Sequence, residues 1–462
     1  MSRATEPPPA RGRSTVIAVA LSFLWPGLGQ WYLGRHRDAL LYAIPVLALA
    51  AALALQFTDG LTAAAARLLD PSFSMALLGV IGILGLWRLI AIADAGLQPP
   101  RLRTLRSRAG GVLAVLAILV LGMHAVAGYY AWSFYDASTK IFVGTTDGPG
   151  PAVASPSGQP APTDEYNVPP FATPAAPDAR ITMLLTGIDK TTERNHSLTD
   201  TLLIVSVDPT TGKTTMVSFP RDLAGFPLYD GGTYDGKINS LMEWAANHPK
   251  AFPDGPLPTL AKELGYLLGV PINYYAAVDI DGFQTMIDAV GGVTVTVNQP
   301  INDAAYSWLD GTHGFYLSAG VHHLDGRTAL AFVRSRYSTS DFARASRQQQ
   351  LLVALEKKVT DPSQIDKLPA LLQAASQTIR TNFPPDRLQE MLAMSNRLDS
   401  SITQVVLQPP KYSFHPPDST TGGTYTLTLQ WDAVKALSVK LFGSDSAFWT
   451  AAASSLAPSA AP

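Results

Sequence analysis

Three apolar runs, residues 39–57, 75–97 and 111–135, dominate the first third of the chain, and each is long enough to cross a bilayer as a helix. A fourth run, 15–32, is interrupted at Trp25-Pro26-Gly27-Leu28-Gly29-Gln30, and its unbroken part, 16–24, is too short to cross. After Tyr135 the pattern changes. Residues 136–178 are rich in Pro, Ala, Gly, Ser and Thr with few large apolar side chains, which reads as a linker, extended where proline is dense. From there to about Gly443, roughly 260 residues carry alternating strand and helix periods, enough for one sizeable core. Residues 444–462 end in Ala, Ser and Pro and read as a disordered tail.

Within the polar two-thirds, 181–186 reads as a buried strand with Gly187 and Asp189 at its exit. Val207 and Thr214 flank DPTTGK between two β-branched runs, the pattern of a hairpin turn. A turn centred between Thr210 and Thr211 pairs positions whose numbers sum to about 421, which sets Asp200 across from Arg221 at the open end of the ladder. Downstream, 260–268 reads as a helix, 274–280 as a strand, 283–290 as a helix and 293–297 as a strand, with Gly291-Gly292 breaking the helix before it. The alternation predicts an α/β domain, a mixed central sheet covered by helices.

Two further segments matter for chemistry. In Phe332-Val333-Arg334-Ser335-Arg336 a strand period of two puts both arginines on one face. From about Phe342 the spacing predicts a helix, capped by Ser340 or Asp341, with Leu351, Leu352, Leu355 and Val359 as its apolar stripe. At about 100° per residue, Arg344, Arg347 and Gln348 continue that stripe and face the interior.

Charge fixes the topology of the apolar runs. Arg3, Arg11 and Arg13 precede the broken run, Arg35 and Arg37 follow it, and Arg101, Arg103, Arg106 and Arg108 separate the last two full spans, whereas 58–74 holds only Arg67. All the basic clusters are cytoplasmic only if the broken run is a re-entrant or interfacial hairpin. The expected organisation is therefore a cytoplasmic tail (1–13), a membrane region of hairpin plus three spans (14–135), the linker (136–178), an extracytoplasmic domain (179–443) and the tail (444–462). The chain stays anchored in the cell membrane without a signal-peptidase step. Arg88, a lone charge in a span, is expected near the interface or paired, with Asp94 one to two helical turns away. There is no cysteine, which removes disulfides and thiolate metal sites, and a net charge of −2 gives no sign of a nucleic-acid partner.

Arg221, Arg334, Arg336, Arg344 and Arg347 converge with Asp189, Asp200, Asp222 and Asp341. Guanidinium groups on an apolar face need partners once desolvated. Ion pairing alone is the bland account, but the arginines outnumber the carboxylates, and a pyrophosphate would balance them through bidentate contacts. Arginines with paired carboxylates ask for a phosphate carrying a divalent metal.

The same residues resemble the LytR-CpsA-Psr (LCP) proteins of cell-envelope assembly. The likeness runs through LLTGID, TDTLLIVSVD, VSFPRD, KIN at 237–239, GVPINYYAAVDIDGF, GGVTVTV, LDGRTALAFVRSR and DFARASRQQ, in that order. It implies a phosphotransferase that moves a glycopolymer phosphate from a polyprenyl-pyrophosphate carrier to a peptidoglycan hydroxyl. Carried over, Asp189 and Asp200 would hold Mg²⁺, while Arg221, Arg334, Arg336, Arg344 and Arg347, with Lys237 and Gln348, would bind substrate oxygens. Asp222 is the candidate general base, with pairing to a neighbouring cation as its alternative role. A hydrolase of the same lipid and a non-catalytic binder of lipid-linked glycans are the competing readings. Where family members commonly carry arginine two residues before the aspartate of TDT, this chain has Leu198, with Arg194 on the same loop. His322-His323 read as surface or core rather than metal ligands, and Tyr274-Tyr275 and Phe315-Tyr316 as core rather than a lipid groove.

Overall fold

The structure, a computed structural model, describes residues 13–55, 67–97, 108–142, 179–189, 198–208, 210–308, 310–336, 339–359, 361–387 and 402–449. The expectations for Arg3, Arg11, Arg101, Arg103, Arg106, Arg194, most of the linker and residues 450–462 lie outside these. The chain divides into two units, Met1–Ser138 and Thr139–Pro462.

In the first unit the broken run is a helical hairpin, α1 (Thr15–Leu24) and α2 (Leu28–Tyr32). Gly27 makes the turn at φ 101°, and a Cβ there would lie 2.3 Å from the Ala39 carbonyl, so both its conformation and its space demand glycine. Among the described residues, three helices are long and apolar enough to cross a membrane: α3 (His36–Leu55), α4 (Pro71–Gly96) and α5 (Arg108–Ile141). Helix α5 continues to Ile141, past the expected end of the membrane region at 135, because no helix-breaking residue occurs before that point.

A polar network docks the hairpin on α4. Gln30, fully buried, accepts from Ser22 Oγ at 3.0 Å and donates to Ala91 O at 2.8 Å and Asp94 Oδ2 at 3.1 Å. Asp94 receives both Nη atoms of Arg35, at 2.8 and 3.0 Å. Its partner is thus Arg35 rather than Arg88, which instead donates to Phe23 O at 2.6 Å.

In the second unit a six-stranded mixed sheet forms the frame. Its strands are β1 (Ile181–Asp189), β2 (Leu198–Val207), β3 (Thr214–Ser218), β4 (Tyr274–Asp279), β9 (Ile379–Thr381) and β10 (Ile402–Val406), and their spatial order is β9-β4-β1-β2-β3-β10. The smaller sheets use β5 (Val293–Val297) with β8 (Gly320–Leu324), and β6 (Ile301–Ser307) with β7 (His313–Leu317). Strand β1 pairs antiparallel with β2 and parallel with β4. The parallel step needs a long crossover, which contains α6 (Pro256–Leu268).

Period-two alternation distributes the sheet side chains between two layers. Leu184, Ile204 and Val217 point to one side, where they meet Leu260, Leu264, Leu267 and Leu268 of α6, together with Val434 and Leu437. The other side carries Ser218, to which Gln349 Nε2 donates at 2.8 Å from α9 (Asp341–Val359). A second core joins α7 (Ile280–Ala289), β5 and α8 (Gly326–Arg334) through Ile287, Val293, Val295, Leu330, Phe332 and Leu351. Helices therefore cover both faces, as the alternating sequence predicts.

Two expectations are corrected. Residues 332–336 are not a strand: α8 runs to Arg334, and the chain leaves it at Ser335, at φ −57° and ψ 137°. Asp325 caps that helix by accepting from Thr328 N at 2.8 Å, and the Ala- and Leu-rich run behind it outweighs the five-residue alternation. The domain also extends beyond 443. Phe448 is 3 % exposed, Asp445 Oδ2 accepts from Arg180 Nε at 2.8 Å, and Ala447 N donates to Gly269 O at 2.8 Å. Tyr274 and Phe315 are core residues, whereas Tyr316 is exposed. His322 is a surface residue hydrogen-bonded to Ser318 O at 2.8 Å.

Candidate active site

The β2–β3 hairpin closes as predicted. Asp208 Oδ1 accepts from Thr210 N at 2.9 Å and Thr211 N at 3.2 Å, fixing the turn, and Leu203 then pairs with Ser218 through Val207 with Thr214. Continuing that register past the last ladder pair brings Arg221 beside Asp200. Arg221 Nη1 donates to Asp200 Oδ1 at 2.8 Å.

From the opposite face α9 contributes its first turns. Ser340 Oγ accepts from Ala343 N at 3.1 Å, so the helix starts where capping predicts. Asp341 Oδ2 lies 3.7 Å from Arg221 Nε, and Arg344 Nη1 lies 3.2 Å from Asp341 Oδ1. Arg344 is 5 % exposed and reaches the Asp200 carbonyl. Asp200, Arg221, Asp341, Arg344 and Gln348 line a common cleft with Phe219. Behind it Asp222, also buried, is held by Lys237 Nζ at 2.5 Å and sits 3.7 Å from Arg221 Nε.

Burial of Arg221 disfavours its charge, but the carboxylates of Asp200, Asp341 and Asp222 outweigh that and raise its pKa. For Arg344 burial wins, and its pKa falls despite Asp341 and Asp200. The Nε atoms of both arginines are buried without a hydrogen-bond partner among the described residues. Buried donors left unsatisfied cost about 1–3 kcal/mol each.

The structure does not bring every expected residue into the cleft lining. Arg334 ends α8 and acts electrostatically on Tyr306, and Arg336 is exposed, its backbone N donating to Asp303 Oδ2 at 2.9 Å. Arg347 is buried but directs Nε to Phe332 O at 2.6 Å, Nη1 to Thr339 Oγ1 at 3.2 Å and Nη2 to Ser335 O. Gln348 both lines the cleft and donates to Val333 O at 3.4 Å. The backbone of Asp189 pairs with Leu198, two residues before Asp200, which puts it at the cleft end of the sheet; its side chain lies outside the described residues.

Two residues escaped the sequence reading. Asp303, 1 % exposed on β6, meets a segment more than thirty positions away, a pairing no local pattern announces. Partial desolvation, followed by the charges of Asp222 and Asp341, raises the pKa of the largely exposed Tyr425, on a loop whose Leu427 N donates to Asp222 O at 2.9 Å.

Among the described residues no three potential ligands for a divalent cation gather at one point. Such an ion is commonly held by one or two carboxylates plus substrate phosphates, and Asp200 lines the cleft. Asp341 Oδ1 is buried there and accepts no hydrogen bond among the described residues.

The fold and cleft define an α/β protein with three apolar helices and an arginine–carboxylate site at its strand ends. The chain belongs to the LytR-CpsA-Psr family, whose profile (LytR_cpsA_psr) matches residues 154–441. It is 31 % identical over 262 residues to the polyisoprenyl-teichoic acid–peptidoglycan teichoic acid transferase TagV of Bacillus subtilis, covering 54 % of this chain and 63 % of that protein. It is 28 % identical over 282 residues to the corresponding transferase TagU of Bacillus mycoides, covering 61 % of this chain and 80 % of that one. The chain thus spans less than two-thirds of the Bacillus subtilis relative's length. A crystal structure of B. subtilis TagV superposes with a TM-score of 0.46 at 25 % identity, over 57 % of this chain and 96 % of that one.

Proposed function

We propose that this chain transfers a glycopolymer phosphate from a polyprenyl-pyrophosphate carrier to a hydroxyl of peptidoglycan. The observation that carries the reading is the meeting of half-buried Arg221 and buried Arg344, whose Nε atoms make no hydrogen bond among the described residues, at a cleft shared with Asp200 and Asp341. The acceptor hydroxyl oxygen attacks the phosphorus that bears the glycan. The bond from that phosphorus to the bridging oxygen breaks, and polyprenyl phosphate leaves with the electron pair. The hydroxyl proton passes to a carboxylate beside the cleft. Asp222, the candidate for that role, is already engaged by Lys237.

Arg221 and Arg344 hold the phosphoryl oxygens and stabilise the charge that develops on them, the main source of rate in phosphoryl transfer. Mg²⁺ held by Asp200 and Asp189 would neutralise the pyrophosphate. Three apolar spans and cytoplasmic basic clusters would place the cleft outside the membrane, within reach of both carrier and wall.

The test uses the full-length protein in detergent with Mg²⁺, a labelled polyprenyl-pyrophosphate glycan and peptidoglycan fragments. Transfer predicts polyprenyl phosphate release together with label on the fragments. Release with free glycan phosphate would make the protein a hydrolase. Tight binding without release would make it a binder.

A further inference from the structure

A helix leaves its last carbonyls without intrahelical partners, and those at the C-terminus of α8 are satisfied in an unusual way. The Ala331 carbonyl accepts from Ser335 N at 2.9 Å. The next two are taken by side chains of α9: Phe332 O by Arg347 Nε at 2.6 Å, and Val333 O by Gln348 Nε2 at 3.4 Å. Beyond the helix, the Ser335 carbonyl accepts from Arg347 Nη2, while Nη1 of the same guanidinium holds Thr339 Oγ1 at 3.2 Å.

The opposite side of this segment is held as firmly. Asp303 Oδ2 accepts from Ser335 Oγ at 2.7 Å and from Arg336 N at 2.9 Å. Ser335 is fully buried and Asp303 is 1 % exposed, so these are charge-assisted bonds in a low-dielectric setting. The Asp303 carboxylate and the Arg347 guanidinium grip the single residue that separates Arg334 from Arg336.

We propose that Asp303 and Arg347 are positioning residues that set the aim of Arg334 and Arg336 toward the phosphate oxygens, an inference that rests on the transferase reading above. Arg347 is then not a substrate ligand, although sequence places it among the phosphate-binding arginines. Two observations support the division. Three bonds from the Arg347 guanidinium go to protein acceptors, whereas Arg344, one turn earlier, lines the cleft with a buried Nε unsatisfied. Burial, reinforced by Arg344, lowers the Arg347 pKa to about 10 and Asp303 opposes the shift, as for a charge kept inside the protein by its counter-ion. Buried charged groups are weak contributors to stability compared with apolar packing, yet they hold geometry. Here the geometry held is the exit of a helix whose last residue and second following residue are both arginine.

The experiment is a double-mutant cycle on the full-length protein in detergent, reading kcat, KM and melting temperature, with inorganic pyrophosphate binding measured by calorimetry. Asp303→Ala and Arg347→Met are expected to lower kcat 10- to 100-fold and weaken pyrophosphate. Asp303→Asn, which keeps an acceptor oxygen, should recover most of the loss. Combining Asp303→Ala with Arg334→Ala and Arg336→Ala should cost little beyond the arginine changes alone, since Asp303 acts through them. Ser335→Ala removes one Asp303 bond with little change in volume, and should give a milder loss of the same kind if the larger changes impair folding. Multiplicative effects in the cycle, or unchanged kcat and pyrophosphate affinity in a folded Asp303→Ala protein, would overturn the proposal. If wild type releases no polyprenyl phosphate, the transferase reading fails by itself. The pyrophosphate arm then still decides whether Asp303 and Arg347 govern the arginines.

Discussion

Arg221 Nη1 and Asp200 Oδ1 meet at 2.8 Å across the open end of a hairpin whose partner numbers sum to 421 throughout the observed ladder. The contact joins a strand end to the turn after its neighbour. It also gives Arg221 a fixed carboxylate on one side while Asp341 and Asp222 flank the other at 3.7 Å.

Loss of either partner should therefore be felt in chemistry before stability. Asp200→Ala and Arg221→Lys are each expected to reduce turnover by about 10²–10³-fold, the range for removing one preorganised electrostatic group. The melting temperature should move little, because both side chains are partly exposed. Chelation of divalent metal should reproduce the Asp200→Ala loss in wild type, and readdition of Mg²⁺ should restore it. Turnover that survives chelation would remove the metal from the proposal.

Asp222 and Lys237 offer a contrast. If the aspartate serves mainly to pair with Lys237, Lys237→Ala and Asp222→Asn should each destabilise the domain by about 1–2 kcal/mol, discounted for the one-third exposure of the lysine (32 %). Denaturant titration measures this. Asp222→Asn should retain far more turnover than Asp200→Asn; the reverse order would return Asp222 to the role of general base.

Glu263 on α6 is fully buried, accepts from Tyr229 N at 3.2 Å and leaves Oε1 without a partner among the described residues. Burial, with some help from Asp230, holds its pKa well above the ordinary value of 4.5. The folded state therefore binds this proton more tightly than the unfolded chain. Its contribution is complete below the unfolded pKa and declines as pH rises through the folded one. Glu263→Gln should accordingly raise the melting temperature more at pH 8 than at pH 5. A pH-independent difference would place the cost in packing instead.

The chain ended after Gly443 should be less stable than one ended after Trp449. Phe448 is buried against Gly269, where an added Cβ would approach its ring to 2.2 Å, and its loss should cost about 1.5–3 kcal/mol. Equal denaturation midpoints of the two forms, with equal m-values, would show that these six residues add nothing.

What the sequence made legible follows from how local each signal is. The 208–213 turn carries its own chemistry in Asp208, so the register of β2 and β3, and with it the Asp200–Arg221 contact, could be derived from numbering alone. Burial of Arg344 and Arg347 followed from the apolar stripe of α9, but the stripe could not tell which guanidinium faces a cleft and which caps a neighbouring helix. The segment 332–336 was too short to separate a strand from the end of a helix, and Asp325, its distant cap, decided the matter. Phe448 was hidden by the Ala/Ser composition around it, because one buried ring outweighs several small neighbours.

Gln348, Gln349 and Gln350 donate to Val333 O, to Ser218 Oγ and Val405 O, and to Thr296 O. Consecutive residues on a helix point about 100° apart, so one turn of α9 is fastened to α8, the central sheet and β5 at once. The helix can neither rotate nor slip by a residue without breaking all three attachments. One added residue between Arg344 and Gln348 would turn Arg344 out of the cleft while the glutamines held their places.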